Sequence, residues 1–144
     1  MIRIAIINGP NLNLLGRREP EIYGNQTFES YFESLIKEYP DIVLEYFQSN
    51  HEGSLIDKIQ EIGFDYEGIV LNAGGYTHTS IALGDCIKAI KTPVIEVHIS
   101  DISKREPYRQ VSMIKPACKA TFAGYGLKSY NMGIEAILDL INKG

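Results

Sequence analysis

Five short apolar runs, each followed by a stretch of helical periodicity, restrict this chain more than any other feature. The runs are Ile2–Asn8, Ile42–Gln48, Gly68–Asn72, Val94–Ser100 and Ala117–Ala123. Several are nearly continuous in isoleucine and valine, as strands covered on both faces must be. Thr27 is placed to cap a helix with Phe28, Phe32, Leu35 and Tyr39 on one stripe, and Pro40 ends it. Leu55, Ile59 and Ile62 make a second stripe, which Gly63 is expected to close as a left-handed cap. Ile81–Ile90 forms a third, and Ile134, Ile137, Leu138 and Ile141 mark the last. A short, weak helix is expected over Tyr108–Ile114, before Pro116.

Strand–helix alternation of this kind implies a five-stranded parallel sheet with helices on both faces, a three-layer α/β sandwich. Right-handed crossovers favour the flavodoxin-like strand order 2-1-3-4-5. Residues 1–144 read as one domain, without repeats, low-complexity tracts or linkers. The net charge of -4 argues against a nucleic-acid or anionic-membrane partner, though local basic clusters can still hold small anions. Cys86 and Cys118 lack the spacing of a zinc or redox pair and read as buried free thiols. The opening MIRIAIINGPN is too short in its apolar part for a signal peptide, and no stretch reaches the roughly 18–20 apolar residues of a membrane span. A cytoplasmic location is expected.

The polar residues are distributed asymmetrically. The strands end in Asn8, Gln48-Ser49-Asn50, Asn72, His98 with Ser100, and Gly124. In a parallel α/β sheet those carboxyl ends share one edge, and ligands bind there at the topological switch point, here between the loops after strands one and three. The first of these loops, GPNLNLLGRREPEIYGNQT, runs about nineteen residues, against roughly 2–6 for an ordinary connection. Arg17, Arg18 and Tyr23 lie in it between Gly16 and Gly24. A free tyrosine is only about 0.1% phenolate at pH 7, so a tyrosine base needs a shift of ~2–3 pH units, and a guanidinium nearby can supply much of it. The competing reading is a surface arginine and a tyrosine packed on the sheet edge.

In the fourth run Glu96, His98 and Ser100 alternate and face one side. A carboxylate two residues from a histidine can fix its tautomer and favour imidazolium, which makes a competent general acid. A metal held by Glu96, His98 and His78 is the rival arrangement, but no ligand-pair spacing supports it. His51 is expected to form hydrogen bonds at a helix start, with no chemical role. The helix start near Thr77–Ser80 offers free amides and hydroxyls to a carboxylate, and Arg105 and Arg109 in KREPYRQ can clamp an anion. A carboxylate-bearing small molecule is the ligand class these features favour.

INGPNLNLLGRREPEIYG, QSNHEG, LNAGGYTHTS, and VIEVHIS followed by KREPYR resemble the motifs of type II 3-dehydroquinate dehydratases, in order, from Ile6 to about Tyr130. The resemblance implies a hydro-lyase of the shikimate route or of quinate catabolism, eliminating water from 3-dehydroquinate through an enolate without metal or organic cofactor. It implies Tyr23 as base, Arg18 holding it as phenolate, and Asn11 with a bound water stabilising the enolate. His98, oriented by Glu96, is then the acid. Asn72, His78, Ser100 with the Ile99 backbone, and Arg109 match positions that grip substrate, and Arg105 a supporting arginine near a lid. Asp85 matches a residue reaching a neighbouring subunit's site, in a homo-oligomer that is usually a dodecamer built from trimers. Asp101 stands where the family commonly has Asn, Tyr76 where Leu is frequent, and the tail GLKSYNMGIEAI departs from the usual GxxGYxxAL. A flavodoxin-like binding or signalling module is the alternative. Yet Asn8 and Asn72 stand where a phosphoacceptor receiver needs acidic residues, and the first loop lacks the Ser/Thr-rich phosphate site of a flavin carrier.

Overall fold

The computed structural model describes residues 1–17, 21 and 25–143. Its strands are β1 (Ile2–Asn8), β2 (Ile42–Gln48), β3 (Gly68–Asn72), β4 (Val94–His98) and β5 (Ala120–Ala123). They form one parallel sheet in the order β2-β1-β3-β4-β5, as expected. The central strands β3 and β4 are buried at every residue, whereas the edge strands β2 and β5 are half-buried throughout. That gradient fits the apolar residues of the central runs, and it makes the buried Glu96, His98 and Asn72 within them the exceptions to be accounted for.

The helices are α1 (Phe28–Glu38), α2 (Glu52–Ile62), α3 (Ile81–Ala89) and α4 (Lys128–Lys143). Thr27 caps α1 by accepting a hydrogen bond from the Ser30 amide at 3.2 Å. Phe28 and Leu35 of α1 and Tyr130, Ile134 and Ile137 of α4 cover one face of the sheet, against Ile4, Ile6, Val70, Ile95 and Val97. Leu55, Ile59 and Ile62 of α2 and Leu83, Cys86 and Ile87 of α3 cover the other, against Ala5, Ile7, Ile69, Leu71 and Val94. Each fully buried aliphatic or aromatic side chain here contributes roughly 1.5–3 kcal/mol, which outweighs local preference wherever the two conflict. No described helix is long and apolar enough to cross a membrane.

Four local expectations are corrected. Gly63 is right-handed, at φ -70°, so it does not close α2 as a left-handed cap. A side chain there would meet Ile90 Cγ2 at 2.4 Å and the Ile59 carbonyl oxygen at 2.6 Å, so close packing is what requires glycine. The segment expected as a helix over Tyr108–Ile114 holds only a single 3-10 turn at Pro107–Arg109. Its backbone is engaged elsewhere: the Met113 amide donates to the Thr77 carbonyl at 2.7 Å, and the Val111 carbonyl accepts from His78 Nδ1 at 2.8 Å. β4 stops at His98 instead of Ser100, because the Ile99 carbonyl accepts from the Gly126 amide at 3.0 Å and leaves the ladder. β5 begins at Ala120 instead of Ala117, after a 3-10 turn at Lys115–Ala117 begun around Pro116, which has no N–H to donate. Cys118 is half-buried, and both cysteines are free thiols.

Candidate active site

The carboxyl ends of β1, β3 and β4 open into a cavity of about 100 Å³. Pro10, Asn11 and Leu12 line it from the loop after β1, and Asn72, Gly74, Gly75 and His78 from β3 and the turn beyond. His98, Ile99, Ser100, Ile102, Arg105 and Arg109 close it from β4 and its following loop. The cavity thus covers the expected switch point and extends one strand further. Close backbone approach builds its floor: a side chain at Gly9 would meet the Ala73 carbonyl oxygen at 2.4 Å. Gly74, at φ +60°, turns the β3 loop against Pro10, which only glycine does without strain.

Asn11 is the one non-glycine among the described residues with positive φ, at 70°. Asparagine tolerates that conformation better than most residues, and its own amide anchors it by donating to Asn50 Oδ1 at 3.0 Å. Asn50 Oδ1 also accepts from Gln48 Nε2 at 3.1 Å, and the same Nε2 donates to the Gly9 carbonyl at 3.1 Å. The polar end of β2 therefore does not touch the cavity; it pins the loop that does. Tyr76 joins in by donating its hydroxyl to the Asn50 carbonyl at 3.3 Å, so the departure from Leu at this position adds a tie to the same loop.

Under the cavity Asn72 is held from behind. Its Nδ2 donates to the Tyr130 hydroxyl at 3.0 Å, and its Oδ1 accepts from the Gly74 amide at 3.1 Å. The Tyr130 hydroxyl donates in turn to Asn8 Oδ1 at 2.7 Å. Asn8 and Asn72 are register partners on neighbouring strands, so the phenol bridges two carboxamides on one face. Tyr130 is fully buried, and burial pushes its phenol well above the ordinary range, which keeps it a neutral donor. Nothing singled out this tyrosine in the sequence, where the last apolar stripe begins at Ile134.

On the other face of β4, His98 Nε2 lies 2.6 Å from Glu96 Oε2, with Glu96 fully buried and His98 nearly so. The carboxylate accepts, so Nε2 donates and Nδ1 is the nitrogen left for the cavity. Burial opposes charge on Glu96. The hydrogen bond and charge of His98, with the Ser112 and Thr121 hydroxyls, outweigh it and hold the carboxyl below its usual value of 4.5. A group depressed in the folded state stabilises the fold fully above its unfolded value and loses that contribution as pH falls through the folded one. Stability is therefore expected to decline below about pH 4.5, and Glu96→Gln to flatten that decline. Urea midpoints measured against pH check this; parallel slopes in the two proteins would remove Glu96 from the account.

Arg105 and Arg109 both line the cavity, as the anion-clamp reading requires. Arg105 Nη1 donates to Ser100 Oγ at 3.1 Å, and Arg105 Nε lies 3.6 Å from Glu106 Oε1. Arg109 Nε lies 3.3 Å from the same oxygen but without hydrogen-bond alignment, so one carboxylate is shared between two guanidiniums. Among the described lining residues the two guanidiniums are the only side chains of fixed charge, a pattern suited to an anion. The expected free amides at Thr77–Ser80 are corrected: Gly74–His78 is a 3-10 turn, α3 starts at Ile81, and Ser80 already caps it by accepting from the Leu83 amide at 2.9 Å. His51 precedes α2 without capping it by its side chain; its amide donates to Ser49 Oγ.

Asp85 is exposed on α3 and outside the cavity lining, and Glu96 lies behind the lining, hydrogen-bonded to His98. Asp101 caps a turn, accepting from the Ser103 amide at 3.0 Å and from its hydroxyl at 2.6 Å, a role asparagine fills equally. Arg18 and Tyr23 lie outside the described residues. His78 points Nδ1 at the Val111 carbonyl, and among the described residues no group of three or more His, Cys, Asp or Glu could hold a metal ion.

A parallel sheet in this order, carrying a buried carboxylate–imidazole pair at a cationic switch-point crevice, defines an α/β acid–base catalyst of flavodoxin-like architecture. Residues 2–138 match the family described as dehydroquinase class II. The 3-dehydroquinate dehydratase of an Exiguobacterium species is 49% identical over 96% of this chain and 95% of that protein. That of Chlorobaculum tepidum is 46% identical over 97% of this chain and 96% of its own. The crystal structure of the type II dehydroquinase from Butyrivibrio crossotus superposes with a TM-score of 0.90 at 46% identity, covering 95% of this chain and 97% of that one. The chain belongs to the class II dehydroquinase family.

Proposed function

We propose that this chain, acting as one catalytic domain, converts 3-dehydroquinate to 3-dehydroshikimate by trans elimination of water, in the shikimate route. The observation that carries the reading is the buried Glu96–His98 pair, 2.6 Å apart, facing a cavity that Arg105 and Arg109 make cationic. Tyr23, held as phenolate by Arg18, takes the proton beside the ketone, and the electron pair moves into an enolate. Asn11 with a bound water stabilises that oxyanion. Collapse of the enolate breaks the carbon–oxygen bond on the opposite face, and His98 gives its proton to the departing hydroxyl, which leaves as water. Asn72, His78 and Ser100 with the Ile99 backbone hold the substrate hydroxyls and carboxylate together with Arg109, and Arg105 supports them.

No metal, organic cofactor or lysine imine takes part in this sequence of steps. 3-Dehydroquinate is expected to give the rising ultraviolet absorbance of a conjugated enone, undiminished by EDTA or by borohydride added with substrate. Absence of that rise would discard the reaction and leave a flavodoxin-like binding module. Inhibition by EDTA would move the chemistry to a metal. The protein is proposed to be cytoplasmic and to assemble as a dodecamer built from trimers. Asp85 and the exposed Ile81 lie one turn apart on α3, where a neighbouring subunit could take up both. Its mass in solution tests the assembly.

A further inference from the structure

Glu96 binds more than His98. The Ser112 hydroxyl donates to Glu96 Oε2 at 2.7 Å, the oxygen that also holds the imidazole, and the Thr121 hydroxyl donates to Oε1 at 2.9 Å. Ser112 Oγ accepts from the Lys115 amide at 3.1 Å, so its own proton is committed to the carboxylate. Thr121 reaches Oε1 because Glu96 and Thr121 are register partners on β4 and β5, with side chains on the same face. Neither hydroxyl lines the cavity.

The geometry points to Ser112 and Thr121 as positioning residues that set the acidity of the catalytic imidazole through Glu96. This rests on the reading of His98 as the acid. Three donors on two oxygens leave Glu96 no cause to take a proton, although it is fully buried. The His98 proton therefore stays on the imidazole, and Nδ1 is the group that gives its proton to the cavity. The hydroxyls also draw charge from the carboxylate, so its pull on imidazolium is weaker than that of a carboxylate bound to His98 alone. With both hydroxyls in place the imidazolium is oriented and yet remains willing to release its proton.

The other groups that face Glu96 and His98 do not supply this control. Cys118, from the turn before β5, has a thiol pushed up to about 12 by burial and by the Glu96 charge, so it is neutral at working pH. Ser129 of α4 donates to the His98 carbonyl and not to its ring. Arg105, Arg109 and His78 line the same cavity as His98, and none of them is hydrogen-bonded to Glu96. Among the described residues, only the two hydroxyls and the imidazole are hydrogen-bonded to the carboxylate.

The test is Thr121→Val, which keeps the shape and removes the donor. Without it the carboxylate holds imidazolium more tightly. The alkaline limb of the kcat/KM profile for 3-dehydroquinate should move up by about half to one pH unit. KM should stay within about twofold, since the residue is off the cavity. Thr121→Ser should restore the wild-type limb. An unmoved limb in the valine variant, or an equal displacement in the serine variant, overturns the inference. Should the valine variant fail to fold, Ser112→Ala carries the same expected sign. Titration of the His98 ring by nitrogen NMR, without substrate, should show the same displacement. That arm separates the two claims: an inactive wild type with a displaced ring titration sinks the dehydratase reading alone.

Discussion

Replacing His98 by alanine should lower kcat for 3-dehydroquinate by about 10²–10⁴-fold, the range spanned by a positioned general acid. The hydroxide that leaves in this elimination is a poor leaving group, and among the described cavity residues His98 alone presents a ring nitrogen backed by a buried carboxylate. The arginines stay charged and cannot give up a proton near neutrality, and the carboxamides of Asn11 and Asn72 are neutral. His78 has its Nδ1 turned to the Val111 carbonyl, and no carboxylate is bonded to its ring among the described residues. Alanine also takes one donor from Glu96, but Ser112 and Thr121 still reach both oxygens. The loss of stability should therefore stay near ~1–3 kcal/mol, compatible with a folded variant. The measurement pairs turnover with a urea midpoint and adds the pH profile. If His98 is the acid, the alkaline limb should vanish along with the rate. A folded variant that turns over within about tenfold of wild type, with the limb intact, would take the acid role away from this residue.

The parts of this site that could be read from sequence are those set by local repeats. Alternation along β4 placed Glu96 and His98 on one face before any pairing was known, because a two-residue period is a property of the strand alone. The strand order followed from the alternation of strands and helices together with the handedness of crossovers. Thr121 and Ser112 carried no such signal. They lie 25 and 16 residues from Glu96 and meet it through the pairing of β5 and the path of the segment after Arg109. Tyr130 was not singled out either: its bonds to Asn8 and Asn72 span 122 and 58 residues and depend on how α4 lies across the sheet. Gly63 shows the opposite failure. A glycine after a helical stripe invites a left-handed cap, yet here contact with Ile90 and not backbone sign demands it. The weak helix expected over Tyr108–Ile114 lost to tertiary hydrogen bonds that Met113 donates to Thr77, Ser112 donates to Glu96 and Val111 accepts from His78, three partners that local propensity cannot see.

The second large effect is expected at Tyr23→Phe, which should cut kcat by about 10²–10⁴-fold while leaving the fold intact. The elimination needs a base on the face opposite His98, and the described lining narrows the choice. Two guanidiniums and the carboxamides do not accept a proton near neutrality. That leaves His78, whose Nδ1 is turned to the Val111 carbonyl, and the residues of the long loop after β1. The described stem of that loop already borders the cavity at Pro10, Asn11 and Leu12. Tyr23 is the tyrosine of that loop, with Arg17 and Arg18 close by in sequence. A phenol poised near neutrality requires a preference of ~3–4 kcal/mol for its charged form, of the size one close guanidinium can supply. Arg18→Ala should accordingly raise the acid limb of the kcat/KM profile, because a free tyrosine ionises near pH 10. Phenylalanine at position 23 keeps the ring and removes only the ionisable oxygen, so a fall in kcat with KM within about threefold isolates proton abstraction from binding. The rival is decided by the same assay: if Tyr23→Phe keeps near-wild-type turnover while His78→Gln loses it, the base is the imidazole on the β3 loop and the phenol has no chemical role.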